Sequence, residues 1–305
     1  MRYFCILMLV FLTACGIHPQ QADVIAGFSR SLDNNSENAA QMLQWHSDNS
    51  QQLKLALSAL DGEKQALNCQ TRQLSLRPVQ CSELERPISQ EMLAQRLQVL
   101  HTCQLYARSL NLLITENDLT ALNKSLRNLN AALAQHAPDF SAGQQQALAD
   151  LSTQITGWFV ARERYQLAQK IIRELGPLVN QILEKLTADL VLNNDAVARG
   201  FIDSHQRLAQ NLLDETQQRL SVANKFSLTE RSWLFEQQYF ALRSLQRIDN
   251  DSASALNNLH SLQRLNQTLI EKIQQQDWDK QTWLELGKEI QQLASAIQVS
   301  GVIHE

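Results

Sequence analysis

The residue types that could carry chemistry are few and dispersed. Seven histidines stand at His18, His46, His101, His136, His205, His260 and His304. No two are three or four residues apart, the spacing that sets two side chains on one helical face. The sequence therefore encodes no local histidine pair for a metal, and each histidine is expected at the surface or at a boundary. Asp203 precedes His205 without a third group in the sequence to complete a relay. There is no glycine-rich phosphate loop, HExxH or EF-hand loop, and no G-x-S-x-G elbow. The Glu-x-x-His pairs of di-iron bundles do not occur either. The expectation is a protein that is not an enzyme, with no cofactor and no resident metal.

Aromatic side chains offer a different kind of site. Trp158, Phe159 and Tyr165 fall on one predicted helix, and Trp233, Phe235, Tyr239 and Phe240 on another. Trp158, Phe159, Trp233, Phe235 and Tyr239 are candidates for a surface that takes a partner helix or an apolar ligand. The alternative is that they pack against one another in the core. Gln144–Gln146 and Gln274–Gln276 give polar faces that suit solvent or a seam between helices.

The elements that must position these residues are helical. Leu, Ala and Gln dominate, while nine Gly and five Pro are low for 305 residues. A short helix is predicted from Gln21 to Leu32. A longer one restarts at Asn34-Asn35-Ser36, with Leu53, Leu57, Leu60 and Leu67 on one stripe. After a cysteine-bounded loop ending at Pro87, Ser89 caps a helix that carries Leu93, Leu97, Leu100 and Leu110. Thr115 and Asp118 resemble a capping box. Leu119, Leu122, Leu126, Leu129 and Leu133 then repeat as a coiled-coil seam. Helical pattern continues from Gln144 to about Val222, with Gly176-Pro177 predicting a kink or boundary. Ser227 and Glu230 form a further capping box. The last two helices are predicted over Ser252–Gln276 and Asp279–Val299. The fold class is all-α, an elongated bundle of long antiparallel helices with coiled-coil-like packing. It is one domain over residues 23–305, or two sub-bundles meeting near residues 176–177.

The amino terminus adds a location. Arg2 is followed by ten apolar residues, Tyr3 to Leu12, too short to span a bilayer but suited to a signal peptide. Leu12-Thr13-Ala14-Cys15 resembles the lipobox of bacterial lipoproteins. The resemblance implies that residues 1–14 are a signal peptide cut by signal peptidase II. Cys15 would be lipidated with chains such as palmitate, and residues 15–22 would form a short tether. Gly16 follows where enterobacterial lipoproteins retained at the inner membrane carry Asp. An outer-membrane protein facing the periplasm is expected.

An exported chain meets an oxidising compartment. Cys69 and Cys81 are the favoured disulfide, with Cys81–Cys103 and Cys69–Cys103 as alternatives. Cys103 then remains a buried thiol. A Cys-Cys-His metal set with His101 is disfavoured, because His101 and Cys103 are two apart on a helix. The net charge of −4 is dispersed, which argues against nucleic acid. The expected function is a membrane-anchored envelope lipoprotein whose bundle holds another envelope protein, as an adaptor or assembly factor. A periplasmic ligand- or metal-binding module and a surface-exposed exclusion or immunity lipoprotein are the alternatives.

Overall fold

The structure is a computed structural model and describes residues 19–60, 69–70, 80–81, 90–115, 119–134, 161–190, 201–222, 225–276 and 279–301. Residues 1–14, Cys15, Trp158 and Phe159 lie outside the described residues.

Seven helices occupy almost all of the described chain and pack against each other, so the fold is all-α. They are α1 (Pro19–Leu60), α2 (Gln90–Thr115), α3 (Leu119–Ala134), α4 (Ala161–Leu190), α5 (Phe201–Ser221), α6 (Leu228–Gln274) and α7 (Lys280–Gly301). The strands β1 (Cys69–Gln70) and β2 (Gln80–Cys81) form a two-residue antiparallel ladder.

Local chemistry explains the helix starts. Pro19 opens α1, where its missing donor costs nothing and its fixed φ already suits a helix. Ser227 N donates to Glu230 Oε2 at 2.7 Å and Glu230 N donates to Ser227 Oγ at 3.3 Å. This reciprocal box starts α6. Asp279 Oδ2 accepts from Thr282 N and starts α7. The far end of α1 is closed differently, by Arg219 Nη2 donating to the Leu60 carbonyl at 2.6 Å.

Two boundaries differ from the sequence reading, and of the kink or boundary expected at Gly176-Pro177 the boundary does not occur. α1 runs unbroken through Asn34-Asn35-Ser36, and Asn35 and Ser36 are buried. These residues favour caps and turns in isolation, but packing overrides that preference. α6 likewise continues through Ser252 for 47 residues, with Arg247 and Asp251 paired at 3.1 Å across one turn. Pro177 lies inside α4, which continues to Leu190. Thr115 ends α2, bonding back to the Asn111 carbonyl, and Asp118 is outside the described residues.

The chain divides into two compact units. Unit 1 comprises residues up to Glu37, Val99–Leu183 and His260 onward. Its core includes Ile25, Phe28 and Leu32 of α1, Leu110 and Leu113 of α2, Leu122, Leu126, Leu129 and Leu133 of α3, and Trp283 and Ile290 of α7. The predicted seam on α3 is thus buried from Leu122 onward. Tyr165 Oη donates to Gln21 Oε1 at 2.6 Å, so Gln21 is packed within the unit.

Gly176 lets α4 approach α6 closely. A Cβ there would lie 2.8 Å from Ile270 side-chain atoms. The Asn266 amide also donates to the Gly176 carbonyl at 2.9 Å. Gly176→Val is expected to destabilise unit 1 by about 1–3 kcal/mol through overpacking. Urea unfolding checks this, and Ile270→Ala in the same chain should recover part of the loss.

Unit 2 comprises Asn38–Gln98 and Glu184–Leu259. Its apolar cluster joins Leu53 and Leu60 of α1, Ala209, Leu212 and Leu213 of α5, and Leu234 and Ala241 of α6. Trp233, Phe240 and Leu245 pack against its edge, half-buried.

Candidate functional site

Unit 2 carries two features that an all-Leu bundle would not need: a buried polar centre and an unpartnered outer face on the same helix. The polar centre is built by α1, α5 and α6. Trp45, His46 and Asn49 come from α1, with His46 and Asn49 three apart on one face. His205 comes from α5, and Ser244 and Arg247 come from α6.

His46 Nδ1 lies 2.6 Å from His205 Nδ1. Asn49 Nδ2 lies 2.6 Å from His205 Nε2 and donates to Ser244 Oγ at 2.9 Å. An amide nitrogen can only donate, so His205 Nε2 accepts. His205 then carries its proton on Nδ1 and donates to His46 Nδ1, which places the His46 proton on Nε2. His46 Nε2 is buried without a hydrogen-bond partner. The rings of Trp45 and His46 meet edge to face with centroids 5.0 Å apart. The Arg247 guanidinium sits 4.1 Å from the Trp45 ring and bonds Asp251 at 3.1 Å.

Both histidines are fully buried. Burial holds His46 down to about 4, with the Arg247 charge adding to the effect. His205 is lowered by burial, by His46 and by Arg247, in that order. The pair is thus neutral at pH 7. Ser244 Oγ meets the Asn49 amide, and no histidine–serine bond forms among the described residues. The arrangement resists protonation, but it does not align a base on a nucleophile. Nor do three or more His, Cys, Asp or Glu side chains gather as a metal set among the described residues.

The histidines therefore depart from the sequence expectation. His46 and His205 are core residues joined across 159 positions, a separation that no local spacing rule detects. His101 and His260 are exposed as expected. Asp203 pairs with Arg207 at 3.1 Å.

The outer face of α6 separates the aromatic candidates. Trp233 turns to the apolar cluster. Phe235 and Tyr239 face outward, 59% and 67% exposed, in line with Leu228 at 76% and Leu242 at 47%. No family model matches the chain, and comparison with curated proteins and with solved structures gives no match.

Leu228, Phe235, Tyr239 and Leu242 follow one another at intervals of seven, four and three, so they form one stripe. Together they leave a row of large apolar side chains exposed on the outer face of the helix.

Cys103 is a free, fully buried thiol, pushed up to about 12 by burial. The two alternative disulfides involving it are therefore not formed. The β1–β2 ladder sets the Cys69 and Cys81 backbones directly opposite each other.

Proposed function

We propose that this chain is a lipid-anchored lipoprotein of the cell envelope, held in the outer membrane through Cys15 and facing the periplasm. Its helical bundle acts as a protein-interaction module, an adaptor or assembly factor, and not as an enzyme. The observation that carries this reading is the outward stripe of α6. Exposed Phe and Tyr at coiled-coil spacing suit an amphipathic partner helix, whereas the buried polar centre offers no open cleft chemistry. Anchoring through lipid would confine the stripe to a membrane surface and raise its effective concentration toward partners there.

The same export route makes Cys69–Cys81 the disulfide of the mature chain. Directly opposed antiparallel residues have Cα atoms about 4.5–5.5 Å apart, within the range a disulfide spans.

Two measurements test the reading. The wild type should fractionate with outer membranes and carry the mass of acyl chains, while Cys15→Ala should do neither. A photo-crosslinking residue at position 239 should give a discrete protein adduct in membranes, while the same residue at the exposed position 271 should not. Soluble, unmodified wild type would remove the anchor. Absence of any adduct at position 239 would remove the docking face.

A further inference from the structure

We infer that the exposed face of α6 is a homodimer seam, on which two copies of this chain pair as antiparallel helices. The inference rests on the docking-face reading above and names its occupant.

The seam is longer than its apolar part. Leu228, Ser232, Phe235, Tyr239, Leu242, Gln246, Asp249 and Ala253 follow one another at alternating steps of four and three, and all are exposed. This is an unbroken a/d repeat on the solvent side of α6, about 38 Å long at 1.5 Å per residue. Unit 2 buries a different face of the same helix, through Leu234, Ala241, Ser244 and Ile248.

Direction follows from the polar members. Parallel pairing would place Asp249 against Asp249 of the second copy, two like charges in one layer. Antiparallel pairing centred between positions 240 and 241 instead stacks Tyr239 on the partner's Leu242, and Asp249 against the partner's Ser232. The Tyr239–Leu242 pairs occupy the middle of the seam, flanked by Phe235 against the partner's Gln246. The Asp249–Ser232 layers follow, and Leu228 faces the partner's Ala253 at each end.

Register follows from the flanking charges. Glu236 and Arg243 are both exposed and lie beside the seam. No hydrogen bond or ion pair engages either among the described residues. They are seven residues apart, about 10 Å along the helix, too far to meet each other within one copy. In the centred antiparallel register, Glu236 flanks the same two layers as the partner's Arg243, and the pair occurs twice by symmetry. Sliding one heptad in one direction brings Glu236 against Glu236. Sliding in the other brings Arg243 against Arg243. The charges therefore admit one register of the three and reject its neighbours.

Charge exchange tests this in the full chain, purified in density-matched detergent and followed by sedimentation equilibrium. The wild type is expected to be a dimer. Glu236→Arg and Arg243→Glu should each weaken self-association by about tenfold or more, because each dimer then holds two like-charge contacts. Mixed together, the two variants should form a heterodimer. The arginine introduced at position 236 of one copy then meets the glutamate introduced at position 243 of the other, and the retained Arg243 meets the retained Glu236. Both positions are on the surface, and unchanged far-ultraviolet circular dichroism confirms that each variant folds. A monomeric wild type, or single reversals that leave the dimer intact, would overturn the seam. A monomeric wild type that still crosslinks from position 239 to a different protein would end the homodimer while leaving the docking face standing. Failure of both measurements would remove both.

Discussion

Trp283→Ala is expected to lower the stability of unit 1 by about 3–5 kcal/mol, the range for removing a buried aromatic ring. Trp283 is 1% exposed and heads the fully buried side chains by volume among the described residues. It anchors α7, whose inner face continues with Leu286, Ile290 and Leu293 at steps of three, four and three. The packing there leaves little room to collapse onto a cavity. A Cβ at Gly27 would stand 3.1 Å from Ile290, and one at Gly287 would stand 3.4 Å from Val24. α1 and α7 are already in close contact, so neither can move inward to fill the void. Trp283→Phe should cost less, because a ring still fills part of the space. Leu284→Ala, on the outward face at 39% exposure, should change stability by less than about 1 kcal/mol. Hydrogen exchange is the appropriate probe, since two units need not unfold together. Amides of α7 should lose protection first in Trp283→Ala. Exchange in Trp283→Ala within about 1 kcal/mol of the wild type, the scale of an ordinary surface change, would mean that α7 is not held by this ring.

The ease with which α7 could be read contrasts with the difficulty of the polar centre. An all-α bundle was legible because Leu spacing of three and four persists through most of the chain. The Ser227/Glu230 box and the α3 seam are local patterns that the structure carries out. Long-range burial was not legible. In α1 the apolar stripe that includes Leu43 and Leu53 is interrupted by His46, Ser47, Asn49 and Ser50, all buried. Polar residues at core positions are a sequence signal of a buried network, but the partner of His46 and Asn49 is 156–159 residues away. The restart predicted at Asn34 failed for a related reason. Asn35 and Ser36 are buried, and that packing holds α1 continuous where the isolated sequence favours a cap. Two sub-bundles meeting near residues 176–177 were one reading of the sequence, but the make-up of the two units was hidden, because each is assembled from separated stretches of chain. Trp233 and Phe235 show how narrow the margin is. They are two residues apart on one helix, yet one packs inward and the other is 59% exposed.

Acid is expected to loosen unit 2 below about pH 6.5, the ordinary histidine value, and the histidine pair sets the window. His46 is neutral in the fold until about pH 4, whereas an unfolded histidine takes up its proton near pH 6.5. Between those values the unfolded chain binds a proton that the folded chain refuses, so stability falls as pH falls. At neutral pH the full stability is present. The slope is about 1.4 kcal/mol per pH unit for each histidine, and His46 alone accounts for about 3 kcal/mol across the window. His205 is lowered in the same direction and adds to the slope. Protonating His46 also breaks the shared Nδ1–Nδ1 bond, because both nitrogens would then be donors, and protonating His205 breaks the bond its Nε2 accepts from Asn49. Urea midpoints between pH 7 and pH 4, read from amides of α5 and the first half of α6, should show this decline. Arg247→Gln supplies the control. Removing the guanidinium takes away the second cause of the His46 shift, so the histidine ring resonances should titrate at higher pH and the window should narrow. A midpoint that stays flat from pH 7 to pH 4.5 would show that the pair is not holding two neutral rings in the core. A steep decline would make unit 2, and the seam on its outer helix, sensitive to the acidity of the compartment in which it works.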